Sequence, residues 1–370
     1  TPAPPDQGGG ATAYALVICH TPAAPLVGYI DIQTRFPRFG CQIDDKRSMK
    51  AVFLPLFALL LLSLPARAEI VLTLGHAVSV DHPRAQASRR FADTLKAQSG
   101  GRISVNILGG ASFGDDVAML KALQDGSLDI SANSQGPISA FVPEINAFGL
   151  PFLFDRPEQA LRLLDGPLGQ QLAQRMAQAG FICLGFWDNG IRHFSNSVRP
   201  LFRPADFAGL RIRTPADPVA MDIVRALGAQ PVEIRFSALY QALQRRTVDG
   251  QENPLLNIWA ARLHEVQTHI SLTAHKYEIT PFVMSHTAWQ ALSGTDREIV
   301  LRAADEATRL QRTLTRSAEE EARQALMAAG IHFTRVKRQP FVKATRPIHD
   351  KWLAGPSGAY VRQVVEAAAR

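Results

Sequence analysis

IVLTLGHAVSVDHPRAQASRRFADTLKAQSGGRISVNIL, Ile70 to Leu108, changes its period twice. Ile70 to Ala77 is a compact apolar run of the kind that forms a buried strand. HPRAQASRRFADTLKAQSGG then places Ala85, Ser88, Ala92 and Leu95 on one helical face and closes on two glycines. RISVNIL returns to the strand period, with Ile103, Val105 and Ile107 alternating. Strand, helix and strand in so few residues predict a parallel pair with the helix packed across it.

The pattern continues outward. DDVAMLKALQDG reads as a helix opened by acidic residues and stopped by Gly126, and LDISA reads as a strand. PEQALRLLDGPLGQQLAQRMAQAG is helical, FICLGFWD is a strand, and LRIRT (Leu210 to Thr214) is a short strand. DPVAMDIVRALGA, FSALYQALQRR and PLLNIWAARLHEV read as helices, and TVDGQENP (Thr247 to Pro254) reads as a stiff polar turn between the last two. From about Thr295 to Ala329, Val300, Ala304, Ala307, Leu314, Ala318, Ala322 and Ala325 follow a 3.6-residue period. A helix that long exceeds one small sheet and is placed to brace two lobes. The chain therefore reads as α/β, with a parallel sheet and a ligand cleft beyond the carboxyl ends of its strands.

Composition agrees with a globular protein. Of 370 residues, 46% are hydrophobic and 20% charged, and the formal charge is +7. The basic excess is spread along the chain without a zinc-finger or aromatic-basic pattern, which argues against a nucleic-acid partner. The first 48 residues are Pro-, Gly- and Ala-rich near their start and lack periodicity. MKAVFLPLFALLLLSLPARAEI, from Met49, then sets Lys50 before an apolar run from Ala51 to Leu64 and ends in Ala66-Arg67-Ala68. That order predicts a secretory signal peptide over 49–68, with 1–48 upstream of the native start and Glu69 as the first mature residue. Of three cysteines only Cys183 follows this segment, so no internal disulfide framework is expected.

Several constellations bear on chemistry. GASFG (Gly110 to Gly114) fits a G-x-S-x-G nucleophile elbow with Ser112 as nucleophile, in a strand-to-helix context, but no acid and histidine partner it downstream. The bland reading is a turn in which Ser112 or Asp115 caps the next helix. HEVQTH (His264 to His269) is one residue longer than H-E-x-x-H, so on a helix its imidazoles point about 140° apart and cannot share a zinc. No dinucleotide or phosphate fingerprint is present, and no cofactor is expected. WDNGIRHFSN places Arg192 just after a buried strand, and LRIRTP puts Arg211 and Arg213 on one face of another. A buried guanidinium stays charged and needs a partner. A bidentate carboxylate ligand satisfies it, and so does an internal pair with Asp188, Asp217 or Glu252. Spacing leaves both open.

GLRIRTP followed by FSALYQALQRRTVDGQENP closely resembles the solute receptors of tripartite ATP-independent periplasmic (TRAP) transporters, the DctP-type family. FGDDVAMLKALQDGSLDI, INAFGLPFLF and WDNGIRHFSN extend the likeness over nearly all of the chain from Val71 onward. The resemblance implies a two-lobed periplasmic-binding-protein architecture with a long bracing helix, lobe I covering 69–189 plus 279–318 and lobe II 190–278 plus 319–370. It implies a non-enzymatic, periplasmic receptor for a small carboxylate: a C4-dicarboxylate, a sugar acid or a related hydroxy or keto acid. Its partners would be the small and large membrane subunits of a TRAP permease. The alternative is a secreted serine hydrolase using Ser112.

Carried over by motif, Arg213 is the central clamp on the ligand carboxylate, Asn253 donates its amide to it, and Arg192 adds a second positive contact. Phe236 is the aromatic wall, and Trp187 lines the same cleft. The opposite lobe is expected to contribute His76 and Asn133, although His76 also reads as a capped core histidine. Where some members of that family carry an acidic residue or an arginine, Asn133-Ser134-Gln135-Gly136 carries no charge, which by the resemblance counts against a zwitterionic or strongly anionic far end of the ligand and leaves a hydroxylated one open.

Overall fold

The computed structural model describes residues 69–370, and the signal segment expected over 49–68 lies outside them. One sheet organises the described residues, in the order β2-β1-β3-β8-β4-β7-β5-β6, with β9 added beside β8. Its first strands, β1 (Ile70–Gly75), β2 (Ile103–Leu108) and β3 (Ile130–Ala132), are parallel to one another. At the far end β5 (Arg211–Thr214) runs parallel to β6 (Gln230–Glu233) and to β7 (Gly250–Asn253). Between the two groups lie β4 (Phe181–Asn196) and β8 (His269–Ser285), long antiparallel strands paired along most of their length. The sheet is thus mixed, not parallel throughout. The parallel groups are the strand–helix–strand units legible in sequence, and β4 and β8 are the passages between them.

The helices begin and end where their side chains dictate. In α1 (Pro83–Gln98), Nδ1 of His82 accepts from the Arg84 amide at 3.1 Å, and Pro83 opens the first turn. In α2 (Asp116–Asp125), the Asp115 carboxylate accepts from Ala118 N–H at 2.9 Å, and Gly126 terminates the helix at φ 80°. Asp115 is therefore the cap and Ser112 stays exposed in the loop. Helices α3 (Gln135–Ile138), α4 (Pro157–Leu164), α5 (Pro167–Gln178), α6 (Pro218–Ala226), α7 (Phe236–Gln244), α8 (Leu255–Ala260) and α9 (His286–Ala291) follow in order around the strands.

The long helix α10 (Gly294–Ala328) has 35 residues, about 52 Å at 1.5 Å each. Ile299, Val300, Ala303, Ala304 and Ala307 join the core formed by β1, β3 and α1. Ala322 and Leu326 join a separate core with Leu239, Leu243 and Leu256. Its buried seam is not apolar throughout, because Gln311 and Thr315 occupy the middle. Gln311 accepts from the Asp188 amide at 2.8 Å and donates to the Asp188 carbonyl at 2.7 Å, which ties the rod to β4. Strand β9 (His332–Arg335) and helices α11 (Arg338–Ala354) and α12 (Gly358–Ala368) complete the chain.

TVDGQENP is not a turn throughout. Bends occupy 247–249, and Gly250 to Asn253 form β7, buried between β4 and β5. Register shifts interrupt the β4–β8 ladder between Cys183 and Gly185, Asp188 and Gly190, and Arg192 and Phe194. Cys183 is a free thiol, half-buried against the core.

Candidate functional site

Both parallel groups direct their carboxyl ends at one cavity, partly open to solvent. Ala77 and Val78 follow β1, Ala111 follows β2, and Ser134 follows β3. From the other group come Pro215 and Ala216 after β5, Arg235 and Phe236 after β6, and Asn253 at the end of β7. Loops at strand ends are where open α/β sheets place ligand contacts.

Two arginines expected at the site line this cavity, and their surroundings differ. Arg192, on β4, directs Nε and Nη2 at the Glu252 carboxylate and Nη1 at Glu278. Nη2 also donates to the Glu252 carbonyl at 2.6 Å. Burial opposes its charge, but the two carboxylates reverse that and hold its pKa above the usual value. Burial would likewise raise the Glu252 pKa, yet Arg192 pulls it well below the usual carboxylate range. His275 Nε2 stands 3.5 Å from Glu252, and burial of the ring lowers its pKa. For Arg192 the internal pair that spacing left open is present, with Glu252 and Glu278 as partners.

Arg213, on β5, is equally buried but has no carboxylate within ion-pair distance among the described residues. Its Nε donates to the Ile234 carbonyl at 2.7 Å, and its guanidinium carbon lies 5.9 Å from the centre of the Phe236 ring. Desolvation lowers its pKa to about 10, which leaves it charged at neutral pH. Its neighbour Arg211 instead turns to the surface and pairs with Asp249 at 2.8 Å.

Asn253 also faces the cavity. Its amide nitrogen donates to Gln251 Oε1, and its oxygen accepts from Asn257 at 3.4 Å. Phe236, the first residue of α7, supplies the wall beside Arg213.

Three other expected residues stand back from the cavity. His76 is buried under it against Gly109, where an added Cβ would meet the ring at 2.8 Å. Desolvation lowers its pKa to about 4, so the ring is neutral. Asn133 is buried behind Ser134 and donates to the Asp116 carbonyl at 3.1 Å. Trp187 is a correction, because it lines no part of the cavity. Its indole stacks on Phe282 at 4.4 Å and donates to Thr308 on α10 at 3.0 Å. Strand alternation turns this large apolar ring into the core beneath the long helix.

Other cavity residues were not anticipated. Arg84 is buried and donates to Thr280 at 2.7 Å, to the Ala132 carbonyl at 3.3 Å and to Asn189 at 3.3 Å. It heads the stripe Arg84, Ser88, Phe91, Leu95, and a cation at the start of a buried helical face was the available signal. Glu278 lies in the middle of β8, a strand whose mixed polar sequence hides it. Asp116 completes this wall from the first turn of α2.

His264 and His269 do not share a helix. His264 stacks on Trp259 at 4.5 Å, while His269 begins β8 beside His332. Among the described residues no group of three or more metal-ligating side chains forms.

Residues 74–355 match the model for DctP, the bacterial extracellular solute-binding protein family 7. The chain is 48% identical over 295 residues to protein y4mM of Sinorhizobium fredii; the match covers 80% of this chain and 54% of that protein's length. It is 32% identical over 317 residues to the C4-dicarboxylate-binding periplasmic protein DctP of Rhodobacter capsulatus, covering 84% of this chain and 94% of the relative. Among solved structures it resembles a TRAP periplasmic solute-binding protein of a Polaromonas species bound to D-erythronate. The TM-score is 0.78 and the identity 32%, over 80% of this chain and 98% of that one. The sugar acid binding protein DctPAm of Advenella mimigardefordensis, in complex with galactonate, is similar at a TM-score of 0.80 and 30% identity, over 82% and 98%. These structures share the two-lobed architecture braced by α10. Ser112 therefore belongs to a binding protein rather than a hydrolase. The chain is a member of the DctP family of TRAP periplasmic solute-binding proteins.

Proposed function

We propose that the chain is the periplasmic receptor of a TRAP transporter, which closes on a small organic-acid carboxylate and delivers it unchanged to a membrane permease of small and large subunits. One observation carries the reading: Arg213 is a buried cation at the cavity wall without a carboxylate partner. A ligand carboxylate supplies the missing charge through two charge-assisted hydrogen bonds in the plane of the guanidinium. Arg192, held by Glu252 and Glu278, adds positive potential, Asn253 adds an amide, and Phe236 covers the ligand. His76 and Asn133 shape the opposite wall from behind. Sugar acids, C4-dicarboxylates and related hydroxy or keto acids share the group that Arg213 would recognise.

A thermal-shift screen of residues 69–370 against a library of organic acids tests the receptor. Carboxylates should raise the melting temperature in a dose-dependent way while their amides do not. A library in which no acid stabilises the protein would refute the proposal. Export through the segment over 49–68 is tested by N-terminal sequencing of the periplasmic form, which should start at Glu69.

A further inference from the structure

On the cavity wall, three buried polar atoms have no hydrogen-bond partner: Nε of Arg84, Oδ1 of Asp116 and Oε1 of Glu278. Arg84 and Glu278 are otherwise firmly held. Arg84 has its three neutral oxygen acceptors, and Glu278 Oε2 accepts from Arg192 and, at 2.9 Å, from Asn189. Asn189 in turn accepts from Arg84, so Arg84 and Glu278 share one bridging amide. One free donor and two free acceptors thus remain at the wall, and buried polar atoms left in that condition are costly.

The chemistry of these atoms restricts what meets them. A hydroxyl both donates and accepts, so it can give its proton to Asp116 or Glu278 while its oxygen accepts from Arg84. A carboxylate only accepts, so it satisfies Arg84 and is repelled by both acids. Charge points the same way. Arg84, Arg192, Arg213 and Arg235 stand against Asp115, Asp116, Glu233 and Glu278, four against four. A ligand carboxylate at Arg213 already tips the balance to the negative side, and a second would add another anion where water is scarce.

We infer that Arg84, Asp116 and Glu278 form a hydroxyl-reading subsite, and that the ligand is a hydroxylated monocarboxylate, not a dicarboxylate. This rests on the carboxylate reading of Arg213 and narrows it.

Six probes in two length series test the inference by calorimetric titration: D-erythronate, butanoate and succinate, then D-galactonate, hexanoate and galactarate. In at least one series the hydroxylated monoacid should bind about tenfold or more tighter than its deoxy and dicarboxylate counterparts. Asp116→Asn should reduce the preference over the deoxy acid by about fivefold and improve the dicarboxylate. Arg84→Gln should lower hydroxy-acid affinity by a similar factor. Succinate or galactarate binding as tightly as the monoacid, or a preference unmoved by both substitutions, would overturn the subsite. If acids bind and Arg213→Ala abolishes binding while that preference is flat, only the subsite fails. If none of the six binds and no acid of the wider library stabilises the protein, the carboxylate reading fails and the subsite with it.

Discussion

Arg192 and Arg213 face the same cavity, but the Glu252 and Glu278 carboxylates both contact Arg192, while Arg213 keeps only the Ile234 carbonyl and the face of Phe236. The two side chains therefore differ in what their removal does.

Arg213→Ala should weaken a micromolar carboxylate by at least roughly thirtyfold, since loss of a buried charge partner costs about 2–5 kcal/mol in binding. Arg213→Lys keeps the charge but not the planar fork, and should recover only part of the loss. Apo stability should hold or rise in the alanine variant, because an unpaired cation leaves the interior. Calorimetric titration and apo melts check both, and near-native affinity in Arg213→Ala would refute the clamp.

Arg192→Ala should behave in the opposite way in the apo protein. It strands Glu252 and Glu278 without their cation, a change that typically costs about 3–5 kcal/mol. Urea unfolding should show that loss without any ligand present. An apo stability within about 1 kcal/mol of wild type would mean that the pair contributes little.

Trp187→Ala should lower stability by about 3–5 kcal/mol, as expected for removing a large aromatic side chain from a core. Carboxylate affinity of the folded protein should stay within about threefold of wild type. A selective loss of affinity with stability intact would return Trp187 to the ligand site.

Asp188 gives a pH signature. Burial, with Glu319 adding to it, raises its pKa from 3.8 to about 7. Between about pH 4 and 7 the folded protein keeps a proton that the unfolded chain has lost, so this group's stabilisation falls as pH rises and levels off above 7. Asp188→Asn should remove that slope. Relative to wild type it should gain on the order of 4 kcal/mol at pH 8 and almost nothing near pH 4. Denaturant midpoints across that range measure the difference, and a gain independent of pH would contradict the assignment.

How much of this could be read from residues depended on what surrounded them. The long helix was legible to within a residue at each end, because Val300, Ala304 and Ala307 repeat on one face. Arg213 and Phe236 were legible because a cation ending a buried strand and an aromatic opening a helix are both local signals. β7 was not: Gly250, Gln251, Glu252 and Asn253 have no apolar alternation, since the Gln251 and Glu252 side chains are satisfied by Ser195 and Arg192, distant in sequence. The same holds for β8, where Lys276 pairs with Asp217 and Glu278 with Arg192. Trp187 misled for the reverse reason: it stands one residue from polar Asp188, and only strand alternation sends it into the core.

The interrupted ladder between β4 and β8 has a consequence for release. Shifts of register locally bend a strand pair and leave residues unpaired. Arg192 sits between two such interruptions, at Asp188/Gly190 and Arg192/Phe194, while Gln311 clamps the backbone of Asp188 just ahead of the first. Under the proposed closure, Arg192 would thus sit on the segment about which the halves turn, beside the clamp at Arg213. Altering its grip on Glu252 changes the lever as well as the electrostatics, so off-rates and opening rates should move together.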